Sequence, residues 1–434
     1  MTSRRSLSGT IVSVFALAGL LVGCSANPRS TGSQTGQGVT TKTIELGIEY
    51  TVGAGATNQS LGINGANLPD AQKQEVAMVH YINSHGGIAG RKVVPVYFQS
   101  VDKPASIDAQ AQAECADFTQ DHHVFAVLDP GDSPPTLVSC LAAHNTPLVT
   151  VNDIPPNTAY YDQYKYYYFT PDGIALDQLA RQYVKGLSLL GFFHPGATYG
   201  LVTADNPVWQ EVTNKVLVPA LTEQGVKLKD TVALSGATAS DYATQMPNVV
   251  LKFSTDKVDH VLILDHGAGI SFAFIGGAAS EKYFPTYALN SYMYPDLQRQ
   301  NQPAAELKDA VGVGFDPFSD VAAPQDTPSA AATSCLSIMS AAGETATDRS
   351  TQAQYAAVCD VFTFAKAALD KAGAFTPAGF GAGVESLGSS WQAALTLHST
   401  FKSGKHYGIG GIRDFKFDSG CGCFVYTGAL STFA

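Results

Sequence analysis

Positive charge is scarce in this chain: its 434 residues hold 26 Lys and Arg against 37 Asp and Glu, for a net charge of −11. No Lys/Arg stripe appears, and no segment interleaves basic with aromatic residues, so the electrostatic footprint of a nucleic-acid partner is missing. Beyond the N-terminal leader no apolar run is long enough to span a bilayer. Cysteine is sparse, seven in all. No second pair of Cys or His stands at zinc-site spacing from Cys421-Gly422-Cys423, and His122-His123 and His260 with His266 read as surface or lining residues. Neither a metal nor a cofactor is expected. No internal repeat and no Gly-x-Ser-x-Gly elbow occurs.

The leader itself is an address. Arg4 and Arg5 precede the apolar stretch IVSVFALAGLLVG, too short for a comfortable span, and Leu21-Val22-Gly23-Cys24 follows. This resembles a bacterial lipoprotein box, which implies cleavage before Cys24 and lipidation of its thiol. Ser25 to Lys42 is polar and reads as a flexible tether. Six cysteines then remain, an even number in an exported chain, which favours disulfides. Pairing Cys115 with Cys140 and Cys335 with Cys359 would tie neighbouring elements, leaving Cys421 and Cys423 to close on each other or stay reduced.

The chain, 45% hydrophobic over its 434 residues, exceeds the size at which single cores stop growing, about 250 to 300 residues. INSHGGIAGRKV, Ile82 to Val93, looks at first like a phosphate loop. It follows a helical pattern (Val76, Val79, Ile82) and precedes the strand-like KVVPVYFQ, the reverse of the order a phosphate loop needs. Gly86 and Gly87 suit a left-handed helix cap and Gly90 a tight turn. Strand-like TIELGIEY, KVVPVYFQ, VFAVLD and PLVTV alternate with helical segments, the third running from Ser133 to about His144. A second set follows: YGLVTA, KLKDTVAL, VDHVLIL, FPTYAL and AVGVGF, with a helix at PVWQEVTNKVLVPALTEQG that aligns Val212, Val216, Leu217 and Leu221. This alternation predicts an α/β fold of two lobes with parallel sheets. Phe318 to Ser350 reads as a loop-rich insertion, the segment from Thr351 to Gly373 as an amphipathic helix, and the chain end as a hairpin.

The glycine stretch, taken with TIELGIEY, VFAVLDPGDSPPTLVSCLAAHNTPLVTV and GGIRDFKFDSG in that order, resembles the type I bacterial solute-binding proteins. That group includes the leucine/isoleucine/valine-binding receptors of ABC importers. The resemblance covers roughly residues 43 to 430. It implies two doubly wound Rossmann-like lobes joined by a three-segment hinge, lobe 1 being 43–168 plus 318–402 and lobe 2 being 169–317 plus 403–434. It also implies a monomer, lipid-anchored outside the cell membrane, that closes on a small polar solute, an amino acid or related metabolite, and meets an ABC permease without catalysing a reaction.

Ligand contacts are expected where strand carboxyl ends meet helix N-termini. Ser133 matches a family serine that touches ligand, although a helix cap would account for it equally. Pro134 and Pro135 beside it lack N–H donors and Asp132 adds negative charge, so a ligand carboxylate would be held poorly. Asn152 and Asp153 follow the fourth strand, and Tyr50 ends the first. In the second lobe, Trp209 after Asp205 matches a family aromatic, against the plainer reading of a half-buried helix residue. Asp265 and His266 end VDHVLIL, and Asn290 to Tyr292 follow FPTYAL; Asp265 could pair with an ammonium or simply cap a helix. Two other functions compete. The same fold could serve a signalling partner, and Gly131-Asp132-Ser133 resembles the nucleophile block of a secreted esterase group. The esterase lacks its base, because no histidine has an aspartate three positions before it.

Overall fold

The computed structural model describes residues 36–433 except 61–62, 67, 70, 132, 152–154, 237–238 and 266. The leader and Cys24 lie outside that range, as do Asn152, Asp153 and His266. Among the described residues no helix is long and apolar enough to cross a membrane.

Two sheets form. The first holds β1 (Thr43–Val52), β2 (Lys92–Val101), β3 (Ala126–Asp129), β4 (Leu148–Thr150) and β5 (Tyr168–Phe169), all parallel in the order β2-β1-β3-β4-β5. The second contains β6 (Tyr199–Ala204), β7 (Leu228–Leu234), β8 (His260–Leu264), β9 (Thr286–Asn290), β10 (Val311–Gly314), β11 (Gly411–Asp418) and β12 (Cys423–Tyr426), ordered β12-β11-β10-β9-β8-β6-β7. Its first five strands are parallel and repeat the order of the first sheet; β11 and β12 add the closing hairpin antiparallel. The strand order reverses beside β1 and β3 in one sheet and beside β6 and β8 in the other. Ligands of open α/β sheets bind at such points.

The glycine joint shows how local chemistry sets an element boundary. The Ala71–Ser84 helix ends with the Gly87 N–H donating to the Ile82 carbonyl at 2.9 Å. Gly86, Gly87 and Gly90 take φ of +91°, +71° and +77°, where a side chain would be strained. A Cβ on Gly87 would also overlap the Arg91 carbonyl oxygen.

Several expectations need correction. The third helix begins at Pro135, with Pro134 as its N-cap, because the two prolines already hold helix-compatible φ and need no partner for a missing N–H. Within the presumed loop 318–350 lies a helix, Ala330–Ala341, capped by Ser329 and tied by Cys335 to Cys359 of the Arg349–Lys371 helix. Its alanine content hid the amphipathic pattern. The helix at 207–223 is interrupted by a π-turn at Thr213–Leu217, next to Pro219, which has no N–H for the regular ladder. The tether ends early: the Gly36 N–H donates to the Phe375 carbonyl at 2.7 Å, and Gln37 Nε2 to Thr146 Oγ1 at 2.8 Å. The other two disulfides join Cys115 to Cys140 and Cys421 to Cys423.

Helices Ala71–Ser84 and Arg349–Lys371 contribute to the core on one face of the first sheet, while Phe118, Leu137 and Leu141 fill the other. One large core surrounds the second sheet. The chain passes between lobes three times, after β5, after β10 and before β11. The passages are laced together: Gly408 N–H donates to the Thr170 carbonyl at 2.8 Å, and Leu397 N–H to the Phe315 carbonyl at 2.9 Å. Away from them, Asn301 on the second lobe exchanges hydrogen bonds of 2.9 and 3.1 Å with the Asn64 backbone of the first.

Candidate ligand-binding site

At the reversal point of the first sheet lies a buried pair of carboxyl groups, Glu49 ending β1 and Asp129 ending β3, 4% and 2% exposed. Thr51 Oγ1 donates to Glu49 at 3.0 Å, Ser100 Oγ does the same, and Gly131 N–H donates to Asp129 Oδ1 at 2.8 Å. Burial raises Glu49 well above the usual carboxylate range, and the nearby Asp129 charge adds to this. Asp129 is raised less, because Ser133, Glu49 and the Gly131 amide all stabilise its charge. Of the two, Glu49 is the carboxyl whose neutral form burial favours more strongly.

Ser133 belongs to this cluster. Its hydroxyl donates to Asp129 Oδ2 and lies 3.0 Å from Thr150 Oγ1, which in turn donates to the Gly131 carbonyl at 2.7 Å. It is not the helix cap, and neither partner is an imidazole that could activate it. Tyr50 turns to the sheet edge, where its hydroxyl donates to Gln99 at 3.2 Å and its ring meets Tyr97 edge-on.

In the second lobe, Asp205 is exposed and accepts from Ser235 Oγ at 3.0 Å. Trp209 is 1% exposed and belongs to the lobe core, a deeper position than either sequence reading allowed. Burying a side chain of that size contributes more to the lobe than a cleft wall would return. Asp265 is fully buried and accepts from Ser271 N–H at 2.7 Å in the first turn of the Gly269–Ser280 helix. Asn290 is also fully buried; its Oδ1 accepts from Tyr292 N–H at 3.0 Å, while its Nδ2 has no partner.

A small cleft opens where the lobes and their connections meet, lined by Val151, Asp172, Ser291, Tyr292, Tyr294, Phe315, Asp316 and Leu395. Val151 comes from the first lobe, Ser291 to Tyr294 from the second, and the others from the three passages. Of the predicted residues that the structure describes, Tyr292 lines it, its ring edge-on to Phe315 at 5.0 Å, together with Ser291 of the same predicted stretch. Asp316 has a readable signal that was missed: an aspartate before proline is a helix start, and it accepts from Phe318 and Ser319 N–H at 2.9 and 3.3 Å. Burial pushes it up to about 6 against those bonds and the Arg349 charge. Asp172 follows β5, a strand of only two residues that leaves no pattern.

This geometry is matched by sequence comparison: a model of the periplasmic binding proteins fits residues 51–419. The chain belongs to that family. No curated protein matches its sequence. Solved structures do resemble this binding protein at low identity. A substrate-binding protein of an ABC transporter from Desulfitobacterium hafniense, in complex with leucine, is 17% identical with a TM-score of 0.59, covering 89% of this chain and all of its own. A fatty acid ABC transporter substrate-binding protein from Thermomonospora curvata is 16% identical at a TM-score of 0.63, covering 92% of this chain and 95% of its own. A solute-binding protein from Rhodopseudomonas palustris HaA2, in complex with p-hydroxybenzoic acid, is 14% identical at 0.66, covering 90% and 97%. The type I fold inferred from the glycine stretch and the closing hairpin is therefore the fold of the chain.

Proposed function

We propose that this binding protein is the lipid-anchored, extracytoplasmic receptor of an ABC importer, capturing a small polar solute between its lobes and presenting the closed form to a permease. Catalysis has no part in it. The supporting observation is the cleft, to which both lobes and all three connecting passages contribute side chains. A ligand touching both lobes stabilises the closed arrangement by its differential affinity for it. We divide the lobes at 43–169 with 318–402 and 170–317 with 403–434, moving the expected first boundary by one residue so that β5 stays whole in the first lobe. Anchoring rests on Cys24 and the leader before it.

Thermal-shift measurements against small metabolites, followed by X-ray scattering with and without the best ligand, test the reading. A ligand at 100 times its Kd adds about 2.7 kcal/mol to the stability of the folded state, and closure lowers the radius of gyration. If no metabolite raises the melting temperature, or a bound one leaves the radius unchanged, the receptor reading fails.

A further inference from the structure

The cleft carries charge of one sign. Asp172 and Asp316 line it together with the rings of Tyr292, Tyr294 and Phe315, and no Lys or Arg is among the lining residues. The surrounding sequence agrees: of the loops that leave the carboxyl ends of the parallel strands, only the one after β2 contains a Lys or Arg, exposed Lys103. The cations nearby are committed elsewhere. Arg349, whose charge reaches Asp316, pairs with Asp326 at 3.0 Å, donates to the Pro317 carbonyl at 2.6 Å and stacks on Phe318. Lys405, in the third passage, directs its ammonium at the carbonyls of Thr400 and Ile409, at 2.6 and 3.0 Å.

At the carboxyl ends of β3 and β4 the first lobe also offers few free donors. Pro134 and Pro135 have no N–H to offer at the start of their helix, and the Ser133 and Thr150 hydroxyls donate inward, to Asp129 and to the Gly131 carbonyl. An anionic ligand needs N–H groups or cations. A cationic one needs carboxylates and ring faces. We infer that the solute of this cleft is an organic cation, an amine or amidine without a carboxylate, held by Asp172 and Asp316 with its hydrocarbon part against the aromatic rings. This rests on the receptor reading above. It departs from leucine, p-hydroxybenzoic acid and the fatty acids named for the solved relatives, all of which are carboxylic acids.

Calorimetry on the folded wild-type protein, with probes matched in skeleton, decides the matter. The cations are isoamylamine and tyramine; the zwitterions are leucine and tyrosine; the anions are isocaproate and 3-(4-hydroxyphenyl)propionate. At least one amine is expected to bind 10-fold or more tightly than its matched acid and zwitterion. Asp172→Asn and Asp316→Asn are each expected to weaken it by about 10- to 100-fold, the effect of one lost charge-assisted hydrogen bond. An acid or zwitterion that binds as tightly as its matched amine overturns the charge assignment and leaves the receptor reading standing. Failure of every probe, of all three charges, overturns both. The wild-type ranking carries the test even if a variant proves unstable.

Discussion

Asp360 sits on the Arg349–Lys371 helix, 1% exposed, and its two carboxyl oxygens accept from the N–H groups of Ala394 and Leu395 at 2.6 and 2.9 Å. It fixes the start of the third passage, next to Leu395 of the cleft wall. Burial lifts it from 3.8 to about 8, with a further contribution from the Asp316 charge, against the two backbone hydrogen bonds. The folded protein thus keeps a proton that the unfolded chain gives up near pH 3.8. The stability this group provides is complete below that pH and is lost as pH rises through about 8. Asp360→Asn removes the titration while leaving one amide donor unmet, a fixed cost of about 2 kcal/mol. At about 1.4 kcal/mol per pH unit, the variant should gain about 4 kcal/mol on the wild type between pH 5 and pH 8. Other titrating groups are common to both proteins and cancel. Urea unfolding followed by far-ultraviolet circular dichroism at pH 5, 6.5 and 8 measures the difference. If the two stabilities keep a constant gap across that range, the carboxyl does not titrate there and the reasoning is wrong.

Other perturbations follow from the fold. Trp209→Ala should cost about 3 to 5 kcal/mol by the cavity it leaves, read by denaturation, whereas Trp209→Phe should keep ligand affinity within a few-fold; a large affinity loss in the phenylalanine variant would return Trp209 to the binding site. Replacing Cys335 and Cys359 together by Ser opens a loop with a sequence separation of 24 and should cost about 3 kcal/mol, read by urea unfolding; an unchanged midpoint would contradict the tie. Gly87→Ala should destabilise by more than about 2 kcal/mol, since strain adds to overlap, while Gly86→Ala, with open space around it, should cost about 1 kcal/mol; equal effects would contradict the contact with Arg91. Cys24→Ser should release the protein from the membrane fraction in cell fractionation.

Legibility followed the range of the interaction. The glycine joint was readable because its hydrogen bonds span five residues, and the closing hairpin because alternation is a property of neighbours. The Ala330–Ala341 helix escaped notice because alanine gives little contrast between faces. The two-residue β5 gave no period at all. Ser133 was expected to touch ligand or cap its helix; its bond to Asp129, which removes it from the role of cap, was not foreseen. Trp209 could be placed on a helix from its neighbours, but not in or out of the core.

The sequence by itself determined the family and most of the order of strands and helices, because hydrophobic period, turn chemistry and capping act within a few residues. Only the tertiary structure decided which polar groups share the cleft. Asp172, Asp316 and Tyr292 come from separate stretches of the chain and meet where the passages cross. Charge and hydrogen bonding act through distances in space, which no single local pattern records.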